Sequence, residues 1–170
     1  MRSLLTPWRY DYLVQGRPEG ECIFCVALAG ADDAQTLVVY RAAHNFIILN
    51  RYPYTNGHVM IVPNDHLAFP SESGPEQRSE MMHLAAVCEE TLRDVYSADG
   101  INLGMNLGVA AGAGIEAHYH LHVVPRWQGD TNFMAVTADT RLVPEDFART
   151  RARLRETLCG RLGPEPIAHD

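Results

Sequence analysis

The spacing of apolar positions switches several times between a period of two and a helical period, and these switches divide the chain into elements. Leu37–Arg41 and Asn45–Asn50 are β-rich runs separated by a short Ala-Ala link, which together read as a hairpin. His58–Val62 reads as a third strand, entered from the turn-like stretch Pro53-Tyr54-Thr55-Asn56-Gly57 and closed by Pro63. The period then becomes helical. Ser73-Gly74-Pro75-Glu76 fits a capping box opening a helix to about Tyr96, with Met81, Leu84, Ala85, Cys88, Leu92 and Val95 on its buried face. Ile101–Leu107 reads as a fourth strand and Gly108–Gly114 as a Gly/Ala-rich loop. A strand over Ala117–Pro125 follows, then a further candidate at Phe133–Thr137. A final helix over residues 144–163 places Phe147, Leu154, Leu158 and Leu162 on one face, with Arg149, Arg151, Arg153 and Arg155 expected in solvent. This pattern predicts an α+β fold with a mostly antiparallel sheet of about five strands and two main helices. No repeat or linker interrupts residues 1–170, which read as one domain.

The strand at Ala117–Pro125 reads AHYHLHVVP and carries His118, His120 and His122 at alternating positions. Only an extended strand puts all three imidazoles on one face, leaving Tyr119, Leu121 and Val123 to pack on the other. Such a row suits either metal binding or phosphoryl chemistry. A net charge of −7 argues against a broad nucleic-acid surface. All 14 basic residues are arginine, which excludes a P-loop lysine, a Schiff-base lysine or a lysine general base. No run approaches the length of a membrane span, and the N-terminus lacks a signal-peptide core, so a cytoplasmic protein is expected. Cys22-Ile23-Phe24-Cys25 has the spacing of a zinc half-site or a redox dithiol, while Cys88 and Cys159 fall within helical patterns as small apolar residues.

Taken together, these motifs resemble the histidine-triad superfamily, whose signature is His-x-His-x-His followed by two apolar residues. The resemblance covers most of the chain. Asn50-Arg51-Tyr52-Pro53, Gly57-His58 and Ile61-Val62-Pro63 match the nucleotide-binding hairpin of one branch, and Cys-Ile-Phe-Cys matches the zinc pair of many bacterial members. Thr6–Leu13 and Val123–Met134 look like the bacterial dinucleoside-polyphosphate phosphorylase and hydrolase members. The resemblance implies that His120 is a nucleophile, attacking an α-phosphate and forming a nucleotidyl-histidine. Water or inorganic phosphate then releases the nucleotide, and phosphate is the expected acceptor on diadenosine tetraphosphate. His122 and His58 would fix the nucleophile's tautomer or donate to phosphate oxygens. His58 also has the reading of a satisfied polar residue at a strand start.

For Asn50 the two readings are a ribose hydroxyl contact and a turn cap. Asn106 would supply an amide to the α-phosphate, and Gly112, Ala113 and Gly114 a backbone cradle for its oxygens. Gly114 departs from the resembled pattern, which carries Gln or Ser at that position. Glu116 reads as a rim carboxylate. Trp127 and Asn132 are placed near the phosphate site or its symmetry mate, with a plain core anchor as the other reading of Trp127. The resemblance also implies structural zinc on Cys22, Cys25, His66 and His118, pinning the N-terminal segment of residues 1–35 to the histidine strand. It further implies a homodimer through the long helix and Ile101–Leu107. Two rival classes stay open: a catalytic zinc held by the three alternating histidines, and a nucleotide sensor without turnover.

Overall fold

A computed structural model describes residues 21–130 and 145–166. The expectations for Thr6–Leu13, Asn132, the strand Phe133–Thr137 and the helix start at Pro144 lie outside the described residues. Within them the elements run α1 (Ile23–Ala29), α2 (Asp33–Thr36), β1 (Val38–Arg41), β2 (Asn45–Leu49), β3 (Val59–Pro63), α3 (Pro75–Tyr96), β4 (Gly100–Gly104), β5 (Leu121–Arg126) and α4 (Phe147–Leu162). The five strands form one antiparallel sheet in the order β1-β2-β3-β5-β4. The fold is α+β, as expected. No described helix is long and apolar enough to cross a membrane.

The runs Asn45–Leu49 and Val59–Pro63 are buried throughout, because both faces of the sheet are covered there. Alternation sorts their side chains into two layers. Ile47, Leu49, Val59 and Ile61 join Tyr119, Leu121 and Val123 beneath α3 and α4, alongside Leu84, Leu92, Leu154 and Leu158. Phe46, Ile48, Met60 and Val62 face the other way and pack with Phe24 and Ala27 of α1. His122, paired with Met60, lies on this second side. The sheet therefore separates a helix-covered core from a face that carries the histidines.

Three local readings are corrected. Residue 73 does not cap α3: Gly74 is the N-cap, Pro75 opens the helix with its preset φ, and the Ser73 hydroxyl pairs with the Tyr119 hydroxyl at 2.6 Å. The one-turn helix α2 is closed by Leu37 in the left-handed region at φ 66°. The arginines of α4 are not simply solvated, since three of the four also bond to backbone carbonyls. Arg149 is 73% exposed, but Arg151 is only 17% exposed and gives its Nε–H to the Val38 carbonyl at 2.6 Å. Arg155 donates to the Val39 carbonyl and to Glu165, and Arg153 to the Val95 carbonyl and Glu145. Phe147 also departs from the expected buried face, being partly exposed, while Leu154 and Leu158 are buried.

The 50–58 turn is seated on the helical layer through Gly57. Its φ is +79°, and a Cβ there would come 2.9 Å from Tyr96 Cε2 and 3.1 Å from Leu92 Cδ2. Gly57→Ala therefore combines a left-handed backbone with a steric clash and should cost about 1–3 kcal/mol, read as a lower denaturant midpoint with unchanged slope.

Candidate active site and metal centre

At one end of the histidine face, Cys22 and Cys25 flank the start of α1, and His66 follows β3. Both thiols meet His118. The ligand atoms of Cys22, Cys25, His66 and His118 all lie within 4.8 Å of one another. Cys22 Sγ is 3.4 Å and Cys25 Sγ 3.7 Å from His118 Nδ1, and Cys25 Sγ is 3.2 Å from His66 Nδ1. Tetrahedral Zn–S and Zn–N bonds put neighbouring ligand atoms about 3.5 Å apart, so the donor set fits a closed four-ligand site. His118 is already oriented for it: its Nε2–H donates to the Pro63 carbonyl at 3.0 Å, which leaves the Nδ1 lone pair facing the sulfurs. Burial is the main cause that holds the His118 pKa down to about 4, keeping the ring neutral.

The next imidazole is set the opposite way round. His120 is buried, and its Nδ1–H donates to the His118 carbonyl at 3.0 Å, so its Nε2 lone pair remains for chemistry. Burial also lowers its pKa from the ordinary value, against the raising effect of that carbonyl. Phe24, 1% exposed, packs on both rings, with centroids 5.4 Å from His118 and 4.9 Å from His120. His122 stands edge-on to His120 at 4.9 Å, and its Nδ1 is 3.0 Å from Nε2 of the buried His58. Burial, and to a lesser degree His120, holds His122 down to about 4.

The expected alternation holds through residues 118–123, although ladder pairing begins only at Leu121. Before it, the Tyr119 N–H is taken by the Leu67 carbonyl at 2.7 Å. The three imidazoles do not converge on one point: His118 faces the thiols, His120 is tied to its own backbone, and His122 meets His58. That geometry speaks against a catalytic metal on the alternating row.

The remaining candidates fare differently. Asn50 caps the turn, its Oδ1 accepting from the Tyr52 N–H at 2.9 Å, and its Nδ2 lies 3.4 Å from both ring nitrogens of His58. Asn106 lies two residues past the end of β4, whose last pair with β5 is Gly104 with His122. The cradle expected at Gly112 and Ala113 is not open, because these N–H groups donate to the carbonyls of Val109 and Gly108. Gly114 and Glu116 are half-buried in the same loop. Trp127 is not brought to the imidazoles. It follows the far end of β5, on the order of 16 Å from His122 at the usual rise per residue, and its indole N–H donates to the Tyr96 carbonyl at 3.1 Å. Trp127 is only partly buried there, so neither expected role is met within the chain. Two contributors were missed. Phe24 lay in plain view between the cysteines, whereas Tyr54 acts through its backbone and carries no sequence signal.

The HIT domain family profile matches residues 31–129. The AP-4-A phosphorylase of Mycobacterium tuberculosis is 30% identical over 161 residues, covering 91% of this chain and 83% of that protein. Protein hit of Bacillus subtilis is 30% identical over 139 residues, covering 81% of this chain and 94% of that one. Among solved structures, a Zn-bound histidine triad family protein from Mycobacterium smegmatis superposes with a TM-score of 0.67 at 29% identity, covering 83% of this chain and 95% of that chain. With a matching profile over more than half its length and imidazoles in the arrangement just described, this chain belongs to the HIT family.

Proposed function

We propose that this protein transfers a nucleotidyl group from a dinucleoside polyphosphate, resembling diadenosine tetraphosphate, through a covalent intermediate on His120. The observation that carries this is the orientation of His120. A buried, neutral imidazole whose Nδ1–H is held by a backbone carbonyl presents a lone pair on Nε2 and nothing else. Likeness to an AP-4-A phosphorylase supports the substrate class.

In the proposed reaction the Nε2 lone pair forms a bond to the α-phosphorus while the P–O bond to the remaining polyphosphate breaks. From diadenosine tetraphosphate, ATP leaves and AMP stays on His120. An oxygen of inorganic phosphate then attacks the same phosphorus, the N–P bond breaks, and ADP departs with the imidazole restored. Water as acceptor would instead release AMP, and an adenosine phosphoramidase is the corresponding alternative. His122 and His58 are assigned to phosphate oxygens, Asn106 to the α-phosphate, and the Asn50 amide to a ribose hydroxyl. Zinc on Cys22, Cys25, His66 and His118 has a structural part: it holds α1, and with it Phe24, against the histidine face. A homodimer through α3 and β4 is supported by the exposed Met82 and Leu103 on those elements.

Four measurements test this reading. His120→Ala should leave no measurable turnover with the fold intact, and acid-labile AMP should be trapped on the native protein; full activity in the variant would refute the covalent route. With diadenosine tetraphosphate and millimolar phosphate, ADP and ATP are expected, and AMP as the main product would transfer the acceptor role to water. About one zinc per chain is expected, lost in Cys22→Ser/Cys25→Ser together with several kcal/mol of stability, on the order of a structural site. Finally, folded His122 stays neutral to about pH 4, while unfolded histidine takes up a proton near 6.5. The unfolded state then binds more protons between these values, so stability is full above about 6.5 and falls as pH drops toward 4. Thermal midpoints across that range, compared with His122→Gln, check the sign.

A further inference from the structure

The turn between β2 and β3 places a backbone donor against the side of His58 remote from His122. The Tyr54 N–H points at His58 Nδ1 with N···N 3.1 Å, and His58 Nε2 lies 3.0 Å from His122 Nδ1. An amide nitrogen can only donate, so His58 Nδ1 must supply a lone pair. A neutral imidazole with an unprotonated Nδ1 carries its proton on Nε2. That proton faces His122 Nδ1, which in turn must accept, leaving the His122 proton on Nε2. The opposite polarity would set two N–H groups head to head at 3.1 Å. The Asn50 amide, equidistant from the two His58 nitrogens, selects neither.

We propose that the Tyr54 peptide N–H is the positioning group that sets the direction of the Tyr54→His58→His122 hydrogen-bond chain, so that His122 offers an Nε2–H donor beside the His120 lone pair. The assignment deepens the proposed nucleotidyl transfer and takes its catalytic meaning from that reading. Two adjacent imidazoles thereby have opposite characters. His120 presents a lone pair because its Nδ1–H is spent on the His118 carbonyl, and His122 presents a proton because its Nδ1 is filled by His58. The pair matches a phosphoryl transfer that needs a nucleophile on one side and a donor to a leaving or non-bridging oxygen on the other.

The turn is built to hold this N–H still. Asn50 closes its start by accepting from the Tyr52 N–H at 2.9 Å, and Thr55 Oγ1 donates to the Pro125 carbonyl at 2.9 Å, tying the turn to β5. Gly57 seats it on Tyr96, whose hydroxyl donates to Glu145 at 2.7 Å. The Tyr54 ring lies over His58 with centroids 4.8 Å apart.

The test reads the proton positions directly. Long-range ¹H–¹⁵N correlation spectra of the ¹⁵N-histidine-labelled protein, assigned with single His→Asn variants, should show His58 and His122 protonated on Nε2 and His120 on Nδ1. Either His58 or His122 protonated on Nδ1 in the native protein overturns the proposal without reference to turnover. Tyr54→Ala keeps the amide and should keep that pattern. Tyr54→Pro deletes the N–H and should shift His58 toward the Nδ1–H form, with kcat for diadenosine tetraphosphate falling roughly 100-fold and KM changing little, the scale of a lost proton donor. An unchanged tautomer pattern in a folded Tyr54→Pro protein also overturns it. If the native pattern is as expected but His120→Ala remains active, the nucleotidyl-transfer reading fails while the polarity assignment stands.

Discussion

Successive side chains of an extended backbone point to opposite faces, and between His118 and Val123 both faces are used. Tyr119, Leu121 and Val123 are buried in the helix-covered core, and Tyr119 is further held by the Ser73 hydroxyl and, through its N–H, by the Leu67 carbonyl. Each of these anchors fixes the imidazoles on either side of it. Moving one histidine to the other face would mean a one-residue slip that puts three large apolar groups on the histidine side. The core thus does for the site what no contact within the site does alone.

Orientation of the rings comes from hydrogen bonds to backbone. The Pro63 carbonyl turns His118 so that its free nitrogen meets two thiols, and the His118 carbonyl takes the Nδ1 side of His120, leaving the lone pair on Nε2. One residue of separation along the same face therefore divides a closed metal-type donor set from an imidazole outside it. Phe24, carried by the helix between the two cysteines, packs on both rings and couples the two centres mechanically.

The arginines explain how short elements are held together without lysine. Arg41 donates to the carbonyls of Ala27, Leu28 and Gly30 at the end of α1 while pairing with Asp33, which satisfies a helix C-terminus and binds α1 to β1. Arg151 and Arg155 of α4 reach the carbonyls of Val38 and Val39 on the edge strand β1, and Arg153 reaches the Val95 carbonyl and stacks over Tyr96. A planar group with five donors can meet a carbonyl and a carboxylate at once, which an ammonium does less well. The charged face of α4 accordingly works as a clamp while staying partly in solvent.

Strand and helix identities, the helix face of Leu84, Ala85, Cys88 and Leu92, and the common face of His118, His120 and His122 were legible in the sequence because they depend on periodicities of two and 3.6 that the chain itself carries. The pairing of Cys22 and Cys25 with His66 and His118 was legible through a motif. What tertiary structure decided are matters of direction and of non-local partners. Arg151 reads as a solvated helix residue until β1 is beside it, and Ser73 as a helix cap until Tyr119 takes its hydroxyl. Trp127 reads as a neighbour of the phosphate in its own chain until its indole N–H is seen donating to the Tyr96 carbonyl. Most of all, three identical imidazoles acquire three different roles from two carbonyls and one neighbouring ring. No side-chain pattern encodes this, since the donors and acceptors of the backbone are the same at every residue and only folding brings particular ones within reach.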